Sequence, residues 1–244
     1  MGEQRDLEGV SALVTGATSG IGKAAAEELS RHGAEVIVHG RDADRGGAVA
    51  GMITAGGGKA RFVAADLGDP AQLGHLIEQA GAVDVLVNNA GFSWFGATAD
   101  LGVATFDRLF AANVRAAYFL VAALAPKMAA KRSGSIINIG SMVGQVGLAG
   151  SAAYSGTKAT LAAMTRSWAA EFSPSGVRVN TVAPGPVLTN GAAPERIEAI
   201  GATTLMSRAA QPSEIAEVIA FLASPKASYI TGAVIAADGG RTAI

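Results

Sequence analysis

The chain has 244 residues, half of them hydrophobic and 16% of them charged, and its formal net charge is −1 at pH 7. This length suits one α/β domain with a substantial core, and the near-zero charge gives no general attraction to nucleic acid or to an anionic membrane. Because the sequence has no cysteine, disulfides, thiolate catalysis and zinc–thiolate sites are excluded.

Strand-length apolar runs alternate with segments of helical periodicity along most of the chain. This alternation predicts βαβ units in a Rossmann-like, doubly wound α/β fold, with a seven-stranded, mostly parallel sheet and helices on both faces. The predicted strands are 10–15, 34–39, 61–65, 83–88, 135–140, 177–182 and 233–237, and the predicted helices are 21–32, 105–131, 152–172 and 212–223. No linker or repeat divides the sequence, so we expect a single domain over 1–244.

Three segments bear on location and on substrate access. The start of the chain, 1–6, is polar and has no apolar signal core, and the longest apolar run, 116–126, is far shorter than the ~20 residues needed to cross a bilayer. We therefore expect a soluble cytoplasmic protein. The irregular stretch 184–211 follows the sixth predicted strand, at the edge where ligands bind in open α/β sheets. We expect this stretch to be a substrate lid.

A glycine-rich segment, TGATSGIG at 15–22, joins the first predicted strand to the first predicted helix. Glycines there permit a tight turn and let the backbone approach a pyrophosphate, which then sits at a helix amino terminus. A turn that serves only strand–helix packing is the alternative, but the strand before it and the helix after it favour nucleotide binding. The candidate cofactor contacts in this segment are Gly16, Thr18, Ser19, Gly20, Ile21 and Gly22.

The end of the second predicted strand bears on the choice between NAD(H) and NADP(H). An NAD-binding protein usually has an acidic residue there for the ribose 2′-hydroxyl, about 20 residues past the glycines. This chain has Gly40 and then Arg41, whose planar guanidinium can pair with a 2′-phosphate. Arg41 could also be an ordinary solvated loop residue. The pattern favours NADP(H), with NAD(H) as the alternative.

Tyr154 and Lys158 are four residues apart in a predicted helix, and Ser141 precedes the tyrosine by thirteen residues. Residues at i and i+4 share a helix face, so the ammonium can lie beside the phenol and lower its pKa from about 10. Ser141 could then bind a substrate oxygen while Tyr154 exchanges a proton with it. The alternative is a core tyrosine beside an ordinary surface lysine. The three histidines, His32, His39 and His75, have no ligand-like spacing, so we expect no metal site.

Taken together, these motifs resemble those of the small, single-domain short-chain dehydrogenases/reductases, almost from end to end. The resemblance implies a catalytic quartet of Asn113, Ser141, Tyr154 and Lys158, in which Lys158 also holds the nicotinamide ribose and Asn113 holds a water in a proton relay. From the sequence alone, Asn113 is as readily structural as catalytic. The resemblance further assigns cofactor contacts, besides those of the glycine-rich segment, to Asp66, Leu67, Asn88, Ala90, Gly91, Tyr154, Lys158, Pro184, Gly185, Val187 and Thr189.

The implied activity is hydride transfer between a nicotinamide cofactor and a ketone or secondary alcohol. The segments expected to border the substrate, 93–95, 142–148 and 186–188, are mostly apolar, which favours a hydrophobic substrate. A 3-oxoacyl-carrier-protein reductase and a non-catalytic NADP-sensing protein with the same fold remain alternatives. Relatives of this kind assemble as dimers or tetramers through their long helices, so a homotetramer or homodimer is expected.

Overall fold

The structure is a computed structural model, and it describes residues 5–189, 191 and 193–244. Residues 1–4 of the polar start and residues 190 and 192 of the predicted lid segment lie outside the described residues. The strands are β1 Ser11–Val14, β2 Glu35–Gly40, β3 Lys59–Ala64, β4 Val85–Asn88, β5 Gly134–Ile139, β6 Val177–Pro184 and β7 Val234–Ala237. The α-helices are α1 Gly20–Arg31, α2 Ala43–Ala55, α3 Pro70–Ala80, α4 Val103–Phe110, α5 Ala116–Lys131, α6 Ala152–Phe172, α7 Pro194–Gly201 and α8 Pro212–Ala223.

Within the described residues, all seven strands form one parallel sheet in the order β3-β2-β1-β4-β5-β6-β7. The strand order reverses between β1 and β4, and the crevice beyond the carboxyl ends of these strands is where such sheets bind ligands. The Rossmann-like fold class predicted from the sequence is confirmed.

Alternate residues of the strands point to opposite faces of the sheet and build two separate cores. Ala12 and Val14 of β1 belong to the core beneath α1, α2 and α8, whereas Leu13 belongs to the core beneath α3, α5 and α6. Since helices cover both faces, the central strands β1 and β4 are almost entirely apolar, as parallel strands in such folds are.

Three helices, α2, α3 and α7, were not among the predicted elements. The sequence of α2 contains Gly46, Gly47 and Gly51, which weaken its helical pattern. Gly46 is required by packing, because a Cβ at this position would lie 2.0 Å from the Phe62 ring. The helix α3 begins with Asp69, whose carboxylate accepts a hydrogen bond from the Ala71 amide (2.8 Å), and with Pro70 in the first helical position.

The predicted helix 105–131 is in fact two helices, α4 and α5, joined by a single π-helical turn, Ala111–Arg115. Together they form one continuous stretch, Val103–Lys131, which among the described residues is long and apolar enough to cross a membrane by length and composition. Its apolar side chains Leu120, Leu124 and Met128 are buried against the sheet, so core packing accounts for its composition.

Candidate active site

The predicted site residues converge on one edge of the sheet. The glycine-rich segment follows β1, the Asn-Asn-Ala-Gly segment at 88–91 begins with the last residue of β4, Ser141 lies just beyond β5, and Pro184 ends β6. Because the strands are parallel, all four carboxyl ends open on the crevice at the switch point.

Ser141, Tyr154 and Lys158 lie together at this edge. Ser141 is partly buried and caps a short 3₁₀ turn, Met142–Gly144, and its side chain lies near Tyr154 in the first turn of α6. The Lys158 Nζ lies 5.7 Å from the centre of the Tyr154 ring and donates a hydrogen bond to the Ile139 carbonyl oxygen (2.7 Å). The lysine is buried, so the hydroxyls of Ser141 and Tyr154 and the ammonium form one compact group.

The acid–base properties of this group differ from the sequence-based expectation. Burial raises the pKa of the Tyr154 phenol above its ordinary value, and the hydrogen bond with Ser141 only partly opposes that increase. Burial also lowers the pKa of Lys158 from 10.5 to about 8. The direction of the Tyr154 pKa shift is therefore opposite to the predicted acidification by Lys158, since desolvation disfavours both charged forms.

A close backbone approach fixes the distance between the Ser141 turn and α6. A Cβ on Gly144 would lie 3.1 Å from the Lys158 carbonyl carbon and from the Ala159 amide nitrogen. Any larger residue would push the turn away from the helix and separate Ser141 from Tyr154.

Asn113 lies in the π-helical turn and is almost fully buried. Its Oδ1 accepts a hydrogen bond from the Phe92 amide (3.0 Å), and its Nδ2 donates to the Phe92 carbonyl (3.0 Å) and to the Thr157 hydroxyl (3.1 Å). Gly91 permits this contact, because a Cβ there would lie 2.5 Å from the Asn113 Oδ1. The side chain thus joins the loop after β4 to α6, which is a positioning role; the relay water that the resemblance implies stays a prediction.

The glycine-rich segment has the shape that a dinucleotide needs. Gly16 and Gly20 have positive φ angles (64° and 55°), and a Cβ on Gly22 would lie 2.3 Å from the Gly16 carbonyl oxygen. Ser19 precedes α1 without a side-chain capping hydrogen bond, so the first amides of the helix remain available to a phosphate. Thr18 packs on Gly40 at the end of β2, and Ile21 begins the buried face of α1.

Three residues that shape this segment were missed in the sequence analysis. The Asn89 Nδ2 donates hydrogen bonds to the carbonyls of Thr15 (2.9 Å) and Gly16 (3.1 Å). The Thr15 hydroxyl accepts from the amides of Asn89 and Ala90, both at 3.0 Å. The resemblance assigned cofactor contacts to Asn88, Ala90 and Gly91, but the sequence alone did not show that Asn89 reaches the glycines.

The third missed residue is His39, which is 2% exposed. Its Nδ1 accepts a hydrogen bond from the Gly16 amide (3.2 Å), and its Nε2 lies 3.1 Å from the Ala65 carbonyl oxygen, to which it donates. Burial lowers the pKa of His39 to about 4, so the imidazole is neutral at physiological pH. His39 therefore holds the glycine-rich segment in place and has no proton-transfer function.

Four more of the predicted cofactor contacts lie at or just beyond the carboxyl ends of β2, β3 and β4. Arg41 is exposed directly after β2, whereas the next residue, Asp42, caps α2 and pairs with Arg45 (2.7 Å). The Asp66 Oδ1 accepts a hydrogen bond from the Gly68 amide (2.9 Å) and so caps the turn after β3, and Leu67 is buried. Asn88 is buried inside the sheet, where its Nδ2 donates to Asn138 (2.9 Å), so its side chain joins β4 to β5.

The lid segment is anchored at its base beside the cofactor crevice. Val187 pairs with Ala210, so the two ends of the segment meet. Gly185 approaches β7 closely, since a Cβ there would lie 2.7 Å from the Asp238 Cα. The Thr189 side chain lies against Gly20 of the glycine-rich segment, 3.2 Å from the position that a Cβ would take. The lid thus reaches the helix terminus at which a pyrophosphate would bind.

Known proteins resemble this chain over nearly its whole length. A family model described as enoyl-(acyl carrier protein) reductase matches residues 16–242. The cis-4-hydroxycyclohexanecarboxylate dehydrogenase of Sinomonas cyclohexanicum is 39% identical over an alignment of 241 residues, and the alignment covers 96% of this chain and 96% of that protein. An uncharacterized oxidoreductase of Methylorubrum extorquens is 43% identical over 96% of this chain and 98% of that protein.

Solved structures show the same architecture. A protein described as a short chain dehydrogenase/reductase family protein shares 48% identity and a TM-score of 0.91, over 98% of this chain and all of that one. The 3-oxoacyl (acyl-carrier-protein) reductase of Agrobacterium tumefaciens C58 with NADP bound shares 34% identity and a TM-score of 0.92, over 96% of this chain and 95% of that one. Fold, motif order and near full-length similarity agree: the chain belongs to the short-chain dehydrogenase/reductase family of NAD(P)-dependent oxidoreductases.

Proposed function

We propose that this protein is an NADP(H)-preferring oxidoreductase for a largely hydrophobic ketone and its secondary alcohol, with Asn113, Ser141, Tyr154 and Lys158 as its catalytic group. The observation that supports this most directly is the buried Lys158 ammonium, 5.7 Å from the centre of the Tyr154 ring, with Ser141 nearby at the carboxyl edge of β5. The whole chain acts as one domain, with 184–211 as the substrate lid.

A nicotinamide cofactor held in this crevice would supply the hydride chemistry that interconverts the ketone and the alcohol. The Ser141 hydroxyl donates a hydrogen bond to the carbonyl oxygen, and the Tyr154 hydroxyl gives its proton to that oxygen as negative charge develops. Because burial raises the pKa of Tyr154, the phenol is protonated at neutral pH and ready to act as the acid. The Lys158 charge stabilises the phenolate that remains, and oxidation uses the same groups in reverse.

The test of this catalytic group is Tyr154→Phe, which removes the acidic hydroxyl and keeps the ring. We expect turnover of a ketone panel to fall roughly 10²–10⁴-fold, the usual contribution of a general acid, while cofactor affinity stays nearly unchanged. The measurements are NADPH consumption and cofactor binding by calorimetry. Near-normal turnover would remove Tyr154 from the mechanism, and tight cofactor binding with no turnover by the native chain would favour the sensing alternative.

The preference for NADP(H) rests on the surroundings of the second strand. Arg41 is exposed beside the crevice, and the carboxylate of Asp42 is engaged by Arg45, whose hydrogen bonds hold its pKa below the ordinary value. We expect Arg41→Ala to raise the KM for NADPH about 10–100-fold, the value of a lost charge-assisted hydrogen bond, and to leave the KM for NADH unchanged. Arg61→Ala, an exposed arginine bound to the Gln79 carbonyl, is the control. An unchanged cofactor preference in Arg41→Ala would refute the assignment.

The substrate class is inferred from the walls of the site and from relatives. A cavity of about 370 Å³ adjoins the first turn of α6, lined by Trp94, Thr98, Leu101, Phe106, Phe110, Ala152, Ala153 and Gly156. Cyclopentanol dehydrogenase of Comamonas testosteroni is 33% identical, which favours a cyclic secondary alcohol. The FabG 3-oxoacyl-[acyl-carrier-protein] reductase of Vibrio cholerae is 39% identical, so carrier-bound 3-oxoacyl chains are the second candidate and belong in the same panel.

A further inference from the structure

One aromatic side chain connects the catalytic tyrosine to the lid. The ring of Phe95, in the loop after β4, meets the Tyr154 ring edge-on with 5.7 Å between centroids. The guanidinium carbon of Arg196 lies 4.9 Å from the centroid of the same Phe95 ring. Arg196 belongs to α7, in the segment 184–211. This segment therefore places a positive charge one aromatic ring away from Tyr154.

The charge on Arg196 is not neutralised by a neighbouring carboxylate. Arg196 is exposed, and within residues 5–189, 191 and 193–244 no carboxylate forms an ion pair with it. Glu195 and Glu198 belong to the same helix but are one and two positions away, a spacing that does not bring side chains face to face. An arginine in contact with an aromatic ring keeps its N–H donors at the edge of the guanidinium plane, where a planar anion can bind through two hydrogen bonds.

We propose that Arg196 recognises a carboxylate on the substrate, at the end remote from the carbonyl that Tyr154 protonates. This inference rests on the proposed function and narrows its substrate class to hydroxy and oxo acids with an apolar body. The apolar body lies along Phe95, and the carboxylate lies beside the Arg196 guanidinium on α7.

Binding tests this without depending on turnover. Cyclohexanecarboxylate and the uncharged cyclohexanecarboxamide are titrated by calorimetry into the full-length protein saturated with NADP⁺. We expect the carboxylate to bind more tightly than the amide, and Arg196→Met to weaken the carboxylate about 10–100-fold, the value of a charge-assisted pair, with little change for the amide. Arg196→Lys keeps a point charge without the planar fork, so its loss should be intermediate.

Arg108→Met is the matched control, because Arg108 lies over Phe92 of the same loop at 5.8 Å from the ring centroid. It should leave the carboxylate preference intact. Equal affinity of the native protein for carboxylate and amide would overturn the inference, as would equal weakening of both ligands by Arg196→Met or the same loss in Arg108→Met. Reduction of neutral ketones together with any of these outcomes would sink the carboxylate assignment alone and leave the oxidoreductase proposal standing.

Discussion

At the scale of single residues, burial competes with charge in setting the chemistry of the site. The lysine near Tyr154 was expected to favour the phenolate, yet the phenol is desolvated enough that its pKa rises. For the reduction direction this arrangement is favourable, since a protonated phenol is the form that donates. The i, i+4 spacing identified the pair, but it did not indicate how deeply the pair is buried.

His39 provides a prediction at this scale. The pKa of His39 is about 4 in the folded protein, below the ordinary histidine value of 6.5 that applies to the unfolded chain. Between pH 4 and 6.5 the unfolded chain therefore binds a proton that the folded protein does not. The free energy of unfolding should therefore fall as the pH drops from 6.5 to 4, by up to about 3 kcal/mol from this residue. In His39→Asn the amide oxygen can still accept from Gly16, but this part of the pH dependence disappears.

Urea denaturation at pH 7 and pH 4.5 measures the effect, and the difference between native protein and variant removes the contribution of the carboxylates. His75→Asn, at an exposed position of α3, is the control and should keep the native pH dependence. If His39→Asn lost as much stability on acidification as the native protein, His39 would not be the titrating group.

At the scale of elements, the site depends on two departures from regular structure. The π-helical turn between α4 and α5 places Asn113 where it can hold the Phe92 backbone, and π turns of this kind occur mostly at functional sites. The 3₁₀ turn after β5 brings Ser141 against α6. Neither departure is visible in apolar periodicity, so the sequence predicted one uninterrupted helix over 105–131.

Gly144→Val should separate these elements. The added atoms would collide with the backbone of Lys158 and Ala159, so we expect a loss of about 1–3 kcal/mol in stability, as for other overpacked sites, together with a lower kcat. Thermal unfolding and steady-state kinetics provide the two readouts. Gly147→Val in the same loop is the matched control, because a Cβ there meets nothing within 4 Å. Similar losses in both variants would show that the loop, and not the close contact, is responsible.

At the scale of the whole molecule, exposed aromatic side chains on α4 and α5 support the proposed homotetramer or homodimer. Three exposed aromatic side chains lie along these two helices: Phe106 of α4, and Tyr118 and Phe119 of α5, which are 42%, 48% and 50% exposed. Exposed apolar groups of this size on neighbouring helices are typical of subunit interfaces.

Tyr118→Glu tests the assembly. A buried, unpaired carboxylate opposes association, so we expect a smaller species by light scattering coupled to gel filtration. Met52→Glu, at a 52% exposed position on α2, should leave the molar mass unchanged. A native chain that is already monomeric, or a Tyr118→Glu variant of native mass, would contradict the proposed interface.

The sequence by itself determined the fold class, the strand order along the chain and the family, because these depend on periodicity and on motifs that are contiguous or regularly spaced. It also placed Gly16, Arg41 and Ser141 just beyond the carboxyl ends of strands, and Tyr154 and Lys158 together on one helix, where the structure has them. These assignments rest on local pattern, and local pattern is what a sequence records directly.

Only the tertiary structure decided which groups meet across the fold and how far each is removed from water. His39 reaches Gly16 across 23 positions, Asn89 reaches Thr15 across 74, and the contact of Arg196 with Phe95 joins the lid to the loop after β4. The pKa directions of Tyr154 and Lys158 likewise follow from burial beneath several elements at once. Desolvation and long-range hydrogen bonding are properties of the packed molecule, and no single segment of the chain contains them.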